Sequence, residues 1–128
     1  MNKLLPLDGK TIVLHADAGP SRGLGHVMRS IALGEALLTA GARCMLASQP
    51  LPQSIAGYAK RCGLELMDPG ADLACDCLIV DSYDIDAAGR AELFRHAQRR
   101  VVIDDMRNNG PYAADLLINP NPGATEYA

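Results

Sequence analysis

The chain carries no large excess of charge of one sign. Lys plus Arg total 12 against 15 for Asp plus Glu in 128 residues. The basic residues are dispersed, so the electrostatic footprint of a phosphate-backbone reader is missing and nucleic acid is not an expected partner. Long apolar runs are missing as well. Near the start, Leu4, Leu5 and Leu7 are interrupted by Pro6 and Asp8, too short a run for the core of a signal peptide. No segment has the length and apolarity of a membrane span. Cysteine is sparse: Cys75 and Cys77 are one residue apart, and Cys44 and Cys62 form no second close pair, so zinc-site spacing is absent. Free thiols in a reducing cytoplasm are the expectation, with neither a metal nor a cofactor. No internal repeat or low-complexity segment occurs.

What is present is an alternation. Apolar residues make up 48% of the chain, enough to bury one core of ordinary extent, and residues 1–128 read as a single domain. Thr11 to Ala16 (TIVLHA) is a β-branched strand leading into the Gly/Ser/Pro-rich stretch from Asp17 to Gly25. From His26 to Ala40, Val27, Ile31 and Leu38 recur at helical spacing with Gly34 on the same stripe, and Gly41 stands where a left-handed cap ends a helix. Strands are expected at Arg43 to Ser48, Leu64 to Met67, Cys77 to Val80, Val101 to Ile103 and Leu116 to Ile118. Helices are expected at Gln53 to Cys62, opened by Pro52 and closed by Gly63, and at Ile85 to Gln98. This order predicts an α/β, Rossmann-like parallel sheet with helices on both faces. Ligands of such sheets bind outside the carboxyl ends of the strands. Asp17, Asp81, Tyr83, Asp104, Asp105, Asn119 and Asn121 all fall at those ends.

The segment Gly23-Leu24-Gly25-His26-Val27-Met28-Arg29 imitates a dinucleotide fingerprint, but Met28 occupies the third glycine position. After the second strand, Ser48 and Gln49 stand where a ribose-binding acid belongs, and no Gly-Lys-Ser/Thr comes after the loop to make it a P-loop. Physically, Gly23 and Gly25 let a ligand approach the backbone, with first-turn N–H groups aimed at a diphosphate or sugar oxygen. His26 then falls at the helix N-terminus, where the dipole disfavours the imidazolium and favours a neutral ring able to take a proton. Arg29 lies one turn on along the same face. It either contacts substrate or anchors the loop, through carbonyl groups or by pairing with Asp17. His15, inside a strand, and His96, in a mixed helix, read as structural.

These residues resemble the UDP-2,4-diacetamido-2,4,6-trideoxy-β-L-altropyranose hydrolase family of pseudaminic acid biosynthesis and its spore-coat polysaccharide relatives. The resemblance begins at Asp17, keeps the spacing to Gly23-Leu24-Gly25-His26 and runs through Arg29 and the helix after it. It recurs at Val80-Asp81-Ser82-Tyr83-Asp84-Ile85, at Val102-Ile103-Asp104-Asp105 and at Asp115 to Asn121. Where the family often has Arg this chain has His15, and where it has an aliphatic residue this chain has Arg22. The resemblance implies the N-terminal half of a glycosyltransferase-B type fold, whose C-terminal, UDP-gripping domain is absent from this chain; the isolated domain is then expected to be inactive. It also implies that His26 is the general base activating water against the anomeric carbon of a UDP-activated diacetamido trideoxy sugar. Tyr83 would contact the sugar, and Asp17, Gly23, Gly25, Arg29, Asp81, Asp105 and Asn119 complete the expected substrate-binding set.

Two other functions fit the same residues. One is a nucleotide-sugar-dependent glycosyltransferase of the glycosyltransferase-B type, although the loop is poorer in glycine than in the peptidoglycan enzymes and no membrane-docking patch is evident. The other is a non-catalytic domain that binds a sugar or a partner protein. Several candidates also have plain structural explanations: His26 as a helix cap, Asp81, Asp104 and Asp105 as caps of the helices or turns after them, and Asn119 and Asn121 as turn residues beside Pro120 and Pro122.

Overall fold

A computed structural model of the chain describes residues 5–16, 24–69, 74–81, 87–103 and 114–119. Six strands form one parallel sheet: β1 (Thr11–Ala16), β2 (Arg43–Ala47), β3 (Glu65–Met67), β4 (Cys75–Asp81), β5 (Ala97–Ile103) and β6 (Leu116–Ile118), in the order β3-β2-β1-β4-β5-β6. Helices α1 (Gly25–Thr39), α2 (Gln53–Arg61) and α3 (Ala87–Leu93) lie between strands, and a 3₁₀ turn, Phe94–His96, leads from α3 into β5. This is the α/β, Rossmann-like architecture expected from the alternation of elements.

Side chains of a strand alternate between faces, and here the alternation separates two cores. Ile12, Leu14 and Ala16 of β1 pack with Leu46 and Ile79 against Val27 and Ile31 of α1 and Ala59 of α2. Val13 joins Leu78, Val80 and Val102 on the opposite face, where Phe94 and Leu93 cover them. Strands buried on both faces cannot show an apolar–polar alternation, which is why β1 and β4 read as continuous apolar runs.

Both long helices end the same way. After α1, Gly41 adopts φ 103°, its N–H reaches Leu38 O at 3.0 Å and the Ala42 N–H reaches Leu37 O at 3.1 Å. After α2, Gly63 adopts φ 100°, with Gly63 N–H to Lys60 O at 3.0 Å and Leu64 N–H to Ala59 O at 3.1 Å. These crossed bonds are Schellman motifs, which satisfy carbonyls the helix leaves over and turn the chain directly into β2 and β3.

The third helix departs from expectation. Its composition predicts helical structure from Ile85 to Gln98, but α3 stops at Leu93 and Ala97 and Gln98 already belong to β5. The cause is pairing: Cys75 and Cys77 of β4 align with Ala97 and Arg99, so the sheet gains ladder bonds at its amino edge. Gln98 and Arg99 are exposed there, and an exposed polar strand end carries no hydrophobic period to announce it. β4 is also longer than expected, beginning at Cys75; next to it Asp76 accepts a 2.8 Å bond from the Thr11 N–H.

No described helix is long and apolar enough to cross a membrane. Gly34 gives a direct test of the α1 packing. A Cβ there would stand 2.8 Å from one methyl of Leu64 and 3.3 Å from a methyl of Leu14, both side chains being buried with no path into solvent. Gly34→Ala is expected to cost about 1–3 kcal/mol through overpacking, against at most ~1 kcal/mol gained in helix propensity. The urea midpoint of the variant should therefore fall; a midpoint at or above that of the unaltered chain would show that α1 does not lie this close to the sheet.

Candidate functional site

The strand order places the reversal of winding between β1 and β4: β2 and β3 lie to one side of β1, and β4, β5 and β6 to the other. At such a reversal an open parallel sheet commonly binds ligands outside the carboxyl ends of its strands. Ala16, the last residue of β1, is in register with Asp81, the last residue of β4. Asp81 therefore stands at the carboxyl edge beside that reversal, 1% exposed.

α1 starts over the same point. Its N-cap residue, Leu24, offers no capping side chain, and the first turn contains no acid. The positive end of this helix is thus not neutralised by its own sequence. Gly25 is the first helical residue, and a Cβ added to it would meet no described atom within 4 Å. The two glycines of α1 differ in kind: Gly34 has no room for a side chain against the sheet, whereas Gly25 has no described atom within 4 Å of that position.

His26 and Arg29, one turn apart on α1, both reach Asp81. His26 Nδ1 lies 2.6 Å from Asp81 Oδ1. Arg29 donates from Nε to Oδ2 at 2.8 Å and from Nη2 to Oδ1 at 2.6 Å, a two-pronged grip on the carboxylate. The His26 side chain is 9% exposed and that of Arg29 is 32% exposed. A carboxylate taken out of water needs such charge-assisted partners, since an unpaired buried charge costs several kcal/mol.

The structure thus brings together four of the residues expected at the site: Gly25, His26, Arg29 and Asp81. To the two roles expected of Arg29, its grip on Asp81 adds a third, an anchor to the neighbouring strand. Asn119 comes directly after β6 at the same sheet edge but two strands from β4, or roughly 10 Å at the usual strand spacing. Asp17, Gly23, Tyr83, Asp104, Asp105 and Asn121 lie outside the described residues. His15 is buried in β1 on the face away from α1, and His96 is exposed in the 3₁₀ turn. Sequence reasoning passed over Arg90, which is 1% exposed on α3. A guanidinium set among Ala, Gly and Leu was the only signal, and composition alone does not separate a buried arginine from a solvated one.

A concavity of about 440 Å³ opens at the same sheet edge beyond β2 and β3, walled by Leu51, Leu66, Met67 and Pro69 and reached by Ser48, Gln49 and Asp68. Three of the four cysteines are held back from nucleophilic chemistry. Burial raises the thiols of Cys44 and Cys77 above their usual range, and burial together with the neighbouring Cys77 pushes Cys75 up to about 11. Thiols held protonated in this way are poor nucleophiles and poor metal ligands. Among the described residues no group of three or more His, Cys, Asp or Glu side chains is gathered as a metal site. The chain matches no family model, and neither curated proteins nor solved structures gave a match.

Proposed function

We propose that this domain supplies the base of a nucleotide-sugar hydrolase, with His26 taking the proton of an attacking water. The observation that carries the reading is the seat of His26: the first turn of α1, at the reversal point of the sheet, with Nδ1 2.6 Å from a buried carboxylate. An imidazole oriented by a carboxylate at the carboxyl edge of a parallel sheet is suited to general-base chemistry. The helix terminus beside it, with no side-chain cap bond from Leu24 and no acid in its first turn, suits a diphosphate.

In the proposed reaction, water attacks the anomeric carbon of a UDP-activated diacetamido trideoxy hexose while His26 accepts its proton. The bond between that carbon and the diphosphate oxygen breaks, and UDP departs with the electron pair, inverting the anomeric centre. UDP is stable as an anion, so the leaving group needs no strong acid behind it, unlike the paired carboxylates of glycosidases. The sequence resemblance supports the substrate class and the place of the reaction in pseudaminic acid synthesis in the cytoplasm. It also supports a glycosyltransferase-B arrangement, in which a second domain facing the carboxyl edge would hold the uridine.

The test is UDP release from the UDP-sugar by a two-domain protein that contains these residues, with the 128-residue chain assayed beside it and expected to turn over negligibly. His26→Asn should slow turnover by about a hundredfold to ten-thousandfold while substrate binding changes little, the usual scale for loss of a general base. His96→Asn, on the exposed turn, should leave the rate unchanged. If the unaltered protein leaves the UDP-sugar intact, or His26→Asn turns over normally, the hydrolase reading fails. Transfer of the sugar to an acceptor hydroxyl in place of water would identify a glycosyltransferase.

Gly25 supplies an independent check on the ligand's position. Since a Cβ there meets no described atom within 4 Å, Gly25→Ala should leave thermal stability unchanged or raise it by up to ~1 kcal/mol. Turnover should nevertheless fall, because the added methyl occupies the path by which the diphosphate or sugar approaches the first-turn N–H groups. Full activity in a stable Gly25→Ala protein would place the ligand elsewhere along the carboxyl edge.

A further inference from the structure

Three short contacts join His26 and Arg29 to the Asp81 carboxylate. Asp81 Oδ1 receives Arg29 Nη2 at 2.6 Å, and Oδ2 receives Arg29 Nε at 2.8 Å. His26 Nδ1 also lies 2.6 Å from Oδ1. A bare ring nitrogen and a carboxylate oxygen would repel at that separation, so a proton lies between them. With both carboxylate oxygens already accepting from the guanidinium, that proton belongs to Nδ1.

Arg29 Nη2 stands 3.5 Å from His26 Nδ1. With Nδ1 protonated, this is the spacing of two donors converging on one oxygen.

We infer that Asp81 and Arg29 are positioning residues: Arg29 locks the Asp81 carboxylate, and Asp81 holds His26 in its Nδ1–H form, making Nε2 the proton-accepting atom. The assignment deepens the hydrolase reading and rests on it for the kinetic consequence, though not for the tautomer. Each partner has a separate task. Asp81, at the end of a central strand and 1% exposed, gives the ring a fixed acceptor. A carboxylate rotates easily about its last torsion, and the two-pronged guanidinium removes that freedom. Because Arg29 and His26 share helix α1, the lock and the ring move together. With Nε and Nη2 committed to Asp81, Arg29 acts on the sugar diphosphate through this lock, and the N-terminal turn of α1 is left to meet the ligand's charge.

Nitrogen-15 NMR of the labelled 128-residue chain, recorded across a pH series, reads the ring's protonation and tautomer directly. In its neutral form, His26 should show a protonated Nδ1 and a lone-pair Nε2. Asp81→Asn should move the ring toward the Nε2–H form, since an amide cannot accept from Arg29 on both sides and from the ring as well. Arg29→Lys, which keeps the charge but loses the fork, should give a mixture of the two forms, while His96 keeps its signals throughout. A Nε2–H ring in the unaltered chain, or a His26 indifferent to both substitutions, overturns the assignment. The unaltered spectrum decides the first point even if Asp81→Asn does not fold, and amide dispersion identifies that case.

In the UDP-release assay, Asp81→Asn should lower kcat by about a hundredfold to ten-thousandfold with KM nearly unchanged, as when a catalytic histidine is left in the wrong tautomer. A raised KM at unchanged kcat would make Asp81 a substrate ligand and overturn the positioning role. If the tautomer shifts as stated while the unaltered protein releases no UDP, the hydrolase reading falls and the assignment of Asp81 and Arg29 stands.

Discussion

One buried carboxylate ties the candidate site to the sheet. Asp81 closes a central strand, is nearly inaccessible and is held by two side chains of α1, so the helix and the strand cannot shift independently without exposing or orphaning a charge. The apolar contacts of Val27 and Ile31 already press α1 onto the sheet. Hydrophobic packing is non-directional, however, and would tolerate some sliding. The ion-paired carboxylate fixes what packing leaves loose: the rotation and depth of the first turn of α1, where His26 sits.

Such an arrangement is costly. Replacing a buried ionic group by apolar residues of similar volume often stabilises a protein, so a trio of charged and polar side chains beneath a helix terminus adds little to the fold. Its position is what gives it meaning. The winding of the sheet reverses between β1 and β4, and the trio spans that reversal. Parallel sheets commonly bind ligands at such a reversal, and the sequence supplies polar groups there at the expense of a drier core.

The architecture was legible because each element is bounded by local chemistry. Gly41 and Gly63 marked helix ends that the structure closes with Schellman motifs, and the β-branched run from Thr11 marked a strand buried on both faces. The boundary between α3 and β5 was not legible. Ala97 and Gln98 continue a helical composition, and only the presence of β4 alongside turns them into a strand. The same limit applies to the site. Local spacing placed His26 at a helix start with Arg29 one turn on, and the strand end placed Asp81 at the carboxyl edge. That the three meet could not be read, because 55 residues separate His26 from Asp81 and hydrophobic periodicity does not say which strands are neighbours. The two functions of glycine in α1 were also hidden: Gly25 and Gly34 are identical letters, and only the described atoms around each distinguish an uncrowded position from a tight contact.

The sheet is uneven from centre to edge. β3 and β6 are three residues each, and β6 leaves Leu116 53%, Leu117 47% and Ile118 37% exposed. β1 is bonded on both sides and β4 likewise. Amide hydrogens of the margins should therefore exchange through small local openings, while those of β1 and β4 wait for unfolding of the whole domain. Asp81 is mounted on one of these central strands, and His26 is tied to it. Fraying at either margin can come and go on its own timescale without passing through the contact between the two.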